Sequence, residues 1–394
     1  MSPWLIWVME RGKENAGLWL AVPLLALQTM NLTLLAALAA STLGTSGAFD
    51  QQGRLWVAHT GDNGIVLQSS ADEGRNWTPP RQVLPKPETV EANGEARPKI
   101  AFGPQGQLYL SYTQTLGKHH TGNIRFIRSL DGGQTFSPPY TVQRDRAPIG
   151  HRFDDIQVDP QGRIFLAWLD QRDKDAAQAA QRPYRGIAVY YAVSTDGGAS
   201  FGEDAKLADH TCECCRIATA VAPDGRVAAM WRHIFEPNIR DHAVAWLPAN
   251  GKPAAPARAT EDGWKIDACP HHGPSLAFDS KGQRHQAWFS AAGDEGGAFY
   301  SGNGQLMRLG GPLAEHAEVA AAGQRVAVVW KEFDGTATGI HAQISPDGGA
   351  SWSKHTVATT QGSSDHPHII RRGAELWLLW RTADEGIVVR KLED

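Results

Sequence analysis

The four cysteines of the chain fall in two short strings. One is His-Thr-Cys-Glu-Cys-Cys-Arg, with His210, Cys212, Cys214, Cys215 and Arg216; the other is Cys-Pro-His-His-Gly, with Cys269, His271 and His272. Thiols and imidazoles crowded in this way are donors for a soft or borderline ion, copper or zinc, and are too soft a set for calcium or magnesium. The same cysteines could form structural disulfides, with Cys215 joined to Cys269 and a strained link inside Cys212–Cys214 or between the vicinal pair. Both readings stay open at this level.

What brings the two strings together is a repeat. An apolar run, a Gly turn and a second apolar run ending in an aromatic recur as KIAFGPQGQLYLSY, DIQVDPQGRIFLAW, ATAVAPDGRVAAMW and SLAFDSKGQRHQAW. Their glycines, Gly106, Gly162, Gly225 and Gly282, each stand six residues before Tyr112, Trp168, Trp231 or Trp288. Looser copies around Gly53, Gly323 and Gly373 make seven units. Alternating strands about Gly-centred turns, repeating about every 50 residues, predict an all-β propeller of four-stranded blades, six or seven in number.

Counting back from each turn glycine gives the strings a common address. Cys214 and Cys215 lie eleven and ten residues before Gly225, His271 and His272 the same distances before Gly282, and His151 and Arg152 before Gly162. That position leads into the first strand of a blade, the strand that lines a propeller's central channel. Later units add Glu315 and His316, then Asp365, His366 and His368, while Arg97 stands nine residues before Gly106. The expected ligands are therefore Cys212, Cys214, Cys215 and Cys269 with His151, His271, His272, His316, His366 and His368. Copper is the favoured metal and zinc the other candidate. Arg152 and Arg216 would offset thiolate or substrate charge. His119, His120, His285 and His341 are expected to be ordinary loop residues.

A second pattern, Ser-x-Asp-x-Gly-x-x-aromatic, occurs four times: Ser70–Trp77, Ser129–Phe136, Ser194–Phe201 and Ser345–Trp352. The Asp can cap a tight turn and the Gly can take positive φ. These segments resemble the Asp-box, or BNR, repeat of sialidases and related β-propellers, which implies a sialidase-like scaffold in which the boxes are structural. Sialidases bind the substrate carboxylate with three arginines, the first in a Phe-Arg-Ile-Pro motif. Arg97-Pro98 looks like a remnant of that motif, and the resemblance implies a clamp of Arg97, Arg152 and Arg216. No Phe-Arg-Ile-Pro occurs, and Asp154, Asp155, Tyr190 and Tyr191 qualify as nucleophile or acid only by residue type.

A net charge of −4 and an ordinary charged fraction give no footprint for nucleic acid, and 14 Trp offer large packing area. Arg11 and Lys13 precede a stretch free of charge from Asn15 to Phe49. Residues 1–45 therefore read as an export signal or membrane anchor, with Met30 an alternative start, and 46–394 as one propeller domain. The function expected first is metal handling or redox chemistry by an exported protein, periplasmic or secreted, whose partner is a metal ion or a small-molecule substrate. A sialidase-like glycoside hydrolase and a non-catalytic binding propeller are the alternatives.

Overall fold

The computed structural model describes residues 43–293 and 296–393. Seven antiparallel sheets follow one another along the chain, at 45–82, 99–141, 151–211, 218–258, 275–309, 314–360 and 368–391. In each, the strands pair in sequence order; six sheets have four strands and the last has three. The chain is a seven-bladed β-propeller, which decides between the six and seven blades the repeats allowed. Its first strand is Thr45–Phe49. The apolar leader expected before it lies almost wholly outside the described residues.

Each repeat folds as its pattern requires. The seven turn glycines take φ between 58 and 82°, a conformation that a Cβ disfavours. The aromatics that follow, Tyr112, Trp168, Trp231, Trp288, Trp330 and Trp380, are no more than 3% exposed. Most pack against the preceding blade: Trp168 with Tyr109 and Phe126, Trp231 with Phe165 and Leu169, Trp330 with Tyr300 and Leu309. Seven hydrophobic clusters thus fill the seven blade junctions. Truncating one such Trp to Ala costs about 3–5 kcal/mol. The first strands of all seven blades surround an axial cavity of about 740 Å³.

The four Ser–Asp turns share one hydrogen-bond pattern between third and fourth strands. The hydroxyls of Ser70, Ser129, Ser194 and Ser345 accept from the amides of Gly74, Gly133, Gly198 and Gly349 at 2.7–2.9 Å. Each hydroxyl donates to the following Asp, and that Asp accepts from the amide four residues on. Ser345→Ala leaves the buried Gly349 amide without an acceptor, so it is expected to cost about 1–2 kcal/mol. Asp347→Ala should also melt lower.

Asp154 joins blade 3 to blade 2 by accepting from the Ser111 and Thr113 hydroxyls at 2.7 and 3.0 Å. Burial pushes its carboxyl up to about 6, against the pull of those hydroxyls and of Lys99. A group with a raised folded pKa stabilises the fold at low pH and loses that contribution as pH rises through the folded value. Between pH 4.5 and 7 the wild type should therefore lose about 2 kcal/mol that Asp154→Asn does not lose. Parallel urea midpoints for the two proteins at both pH values would disprove the raised pKa.

Candidate metal centre

The blade 3 to blade 4 crossover carries the first cysteine string. It is pinned where the Cys212 amide and Thr211 hydroxyl both donate to the Arg232 carbonyl, at 2.9 and 3.0 Å. Lys174, on the only helix among the described residues (α1, Arg172–Ala179), holds Glu213 at 2.7 Å. Between these anchors Cys212, Cys214 and Cys215 are buried, with sulfur separations of 3.6, 3.6 and 4.0 Å. Cys269 lies on the exposed crossover from blade 4 to blade 5 and is not among the sulfurs that lie within 4.8 Å of one another. All four thiols are free. A disulfide needs sulfurs about 2.05 Å apart, so the structure does not contain the bridges considered from sequence.

The pocket favours one thiolate first. Cys212 is held well below the ordinary thiol range by hydrogen bonds from Cys214 and Cys215. Cys214 is pushed up chiefly by its bond to Cys212, and Cys215 chiefly by burial. Cys212 also pushes the Cys269 thiol up to about 11. Two cations not singled out in the sequence serve this charge: Arg240 places Nη1 3.6 Å from Cys212 Sγ, and Arg232 lies close enough to Cys215 to favour its anion.

A second cluster occupies the mouth of the channel. Glu95, leading into blade 2, accepts at Oε2 from the amides of Arg216 and Gly273, at 2.9 and 2.8 Å, and at Oε1 from Arg216 Nη1 at 2.8 Å. Arg216 Nε and Nη2 then reach the Pro274 and Ala317 carbonyls, at 3.2 Å each. Burial works to raise the Glu95 pKa, but Arg216 and His316 hold it well below the carboxylate range. Beside it, the His316 and His366 rings stack at 3.3 Å and the His272 and His316 rings lie 4.4 Å apart. Burial keeps His272 and His366 neutral. Nδ1 of all three is buried without a hydrogen-bond partner, a deficit of about 1–3 kcal/mol each. The packing is tight: a Cβ on Gly94 would collide with His366, and one on Gly273 with Arg216.

The single Cys/His ring expected from sequence is therefore two clusters. Among the described residues, no donor group within metal-binding distance mixes thiol with imidazole. Cys212, Cys214 and Cys215 gather in one, with Cys269 outside it on the neighbouring crossover, and His272, His316 and His366 in the other. The remaining ligand candidates are elsewhere. His151 is fully buried and bonds the Gly122 carbonyl at 3.1 Å; His271 is exposed; His368 pairs with Glu318 at 2.6 Å in the channel. Blade 3 departs because its inner strand starts early, at His151, and carries a bulge with Phe153 at φ 58°, which turns His151 and Arg152 away from the axis.

The three arginines do not form an open clamp. Arg97 bonds the Thr45 and Gly94 carbonyls and lies 3.3 Å from Asp365; Arg152 is taken by Glu91; Arg216 by Glu95. Asp154 and Asp155 each accept hydroxyl hydrogen bonds between blades. Tyr190 donates to Asp173 and Tyr191 to the Pro248 carbonyl, so these four do not converge. Sequence reasoning passed over Glu95, although it stands eleven residues before Gly106, at the address shared by Cys214 and His271.

No protein-family model matches the chain, and no curated protein matches it. Solved structures do. A polysaccharide lyase of family PL25, an ulvan lyase bound to -[GlcA(1-4)Rha3S]-, superposes with a TM-score of 0.57 at 11% identity, covering 89% of this chain and 92% of the lyase. The Hadza microbial sialidase Hz136 gives 0.50 at 15% identity, covering 86% and 76%. YCF48 bound to a D1 peptide gives 0.50 at 15% identity, covering 90% and 93%. At such identities the likeness is one of fold: the chain shares the sialidase-like propeller architecture with proteins of different activities.

Proposed function

We propose that this chain is an exported Asp-box propeller that handles a soft metal ion, held in the thiol pocket of Cys212, Cys214, Cys215 and Cys269. The observation that carries the reading is the sulfur geometry. A tetrahedral ion with metal–sulfur distances of about 2.3 Å has sulfur–sulfur edges of about 3.8 Å. The pocket's separations of 3.6, 3.6 and 4.0 Å bracket that edge. An all-sulfur tetrahedron selects zinc(II) or copper(I) over harder ions. These three sulfurs are buried; Cys269, exposed and outside their 4.8 Å group, would close onto the ion as the fourth ligand. The four Ser–Asp turns support the Asp-box kinship, and the basic-then-apolar start supports export.

Metal analysis of the full chain is expected to find zinc or copper at one equivalent in this pocket. Replacing Cys214 and Cys215 together with Ser should remove it while the propeller stays folded, since blade packing rests on aromatic contacts elsewhere. Unchanged metal content in that double variant would refute the site. Loss of stability with no metal lost would return the cysteines to a structural role.

A second reading, a saccharide-acting enzyme, is favoured by the fold shared with a lyase and a sialidase and by a channel wall bearing Arg97, Lys99, Asp155 and Glu318. The occupied arginines argue against sialidase chemistry, so assay with α-linked sialosides should release no sialic acid. Release that disappears in Arg97→Ala would move the assignment to that class.

A further inference from the structure

The cluster at the channel mouth has a donor chemistry of its own. Glu95 Oε1 lies 3.6 Å from Nδ1 of His316 and 3.6 Å from Nδ1 of His366. Those donor atoms are all within 4.8 Å of one another. A tetrahedral ion with metal–nitrogen distances of 2.0–2.1 Å has edges of about 3.4 Å, close to these separations. The three residues come from the approaches to blades 2, 6 and 7, which are distant in sequence and meet only at the axis.

Their surroundings are built for a ligand more than for packing. The His316 side chain is 10% exposed and its Nδ1 has no hydrogen-bond partner; the same holds for Nδ1 of His366. Buried His151, His242 and His285 each keep one ring nitrogen hydrogen-bonded and leave only Nε2 unbonded. His316 is also held at φ 51°, where its strand bulges between Glu315 and Glu318, a conformation rare for a residue with a Cβ. Its other nitrogen faces Glu315, 3.6 Å away, and His272 stands within the same donor distance. The Glu95 carboxylate is fixed by Arg216 and the Gly273 amide, so it is oriented before any ion arrives.

We propose that Glu95, His316 and His366 form a second metal site on the propeller axis, for a borderline divalent ion of the copper(II) or zinc(II) class, with His272 beside it. Imidazole with carboxylate suits such an ion, whereas the thiol pocket suits a softer one. The two sites share no ligand, so either can fail without the other.

The test uses copper(II) as the probe on the full chain carrying Cys214→Ser and Cys215→Ser, with the exposed His119, His120 and His271 changed to Ala. After chelator treatment, this protein should bind one copper(II) per chain, with electron paramagnetic resonance showing coupling to at least two nitrogens. His316→Gln and His366→Gln, each checked by circular dichroism, should each weaken binding at least tenfold and change the nitrogen coupling. Folded variants that keep affinity and spectrum would overturn the site. If either variant does not fold, the parent spectrum decides: coupling to fewer than two nitrogens overturns the proposal.

Discussion

One buried carboxylate holds the mouth of this propeller together. Glu95 enters from blade 2 yet bonds the backbone of blade 4 and of the lead into blade 5, and it sits beside imidazoles from blades 6 and 7. A group that touches four other blades must lie on the axis. Its charge is tolerable there because Arg216 is brought to it by the same chain segment whose amide it accepts. Arg97 and Asp365 do the corresponding work at the ring's seam: Asp365 Oδ2 accepts from the Thr45 amide at 2.9 Å, tying the last blade to the first, and pairs with Arg97 of the lead into blade 2. Remove Glu95 and Arg216 becomes a buried unpaired cation, a far larger penalty than any single hydrogen bond.

That constraint also explains why thiols and imidazoles separate. Cys215 and Arg216 are neighbours in the chain, and the cysteines occupy a turn just before Arg216. Arg216 is drawn to Glu95, while Cys212, Cys214 and Cys215 stay buried within the turn, Cys212 beside Arg240. Arg232 stands between the two clusters, 1% exposed, donating to the His272 carbonyl on one side and acting on Cys215 on the other. A fixed cation there favours anionic sulfur and neutral imidazole together, which is the protonation state each donor set needs to bind metal.

Most of the fold was legible because it is written in short-range terms. A Gly six residues before an aromatic specifies a hairpin and the side chain that fills the next junction, and Ser-x-Asp-x-Gly specifies a turn whose bonds are all local. The site was legible only where phase alone decides it. Cys214, Cys215 and His272 share the predicted address and do lie in the clusters. Glu95 occupies it too but was passed over for Arg97, since a lone carboxylate carries no signal until its partners from other blades are known. His151 failed for a different reason: an early strand start and a bulge shift the phase of blade 3 by pairing His151 with Asp170. Bulges leave no reliable mark in a single sequence.

The division between what repeats and what varies has a physical basis. Blade junctions are closed by apolar packing that is indifferent to the residues leading into each inner strand, so those leads are free to carry any chemistry that can be charge-balanced at the axis. This is why a lyase, a sialidase and a peptide-binding protein can superpose on the chain at 11–15% identity. In this chain the freedom is used unevenly. Blades 2, 4 and 5 supply the groups that lock the mouth, and blades 6 and 7 supply imidazoles that nothing in the lock requires. A structural knot needs Glu95 and Arg216; it gains nothing from leaving Nδ1 of His316 and His366 buried without a partner. It is these nitrogens that the proposed second metal site would use.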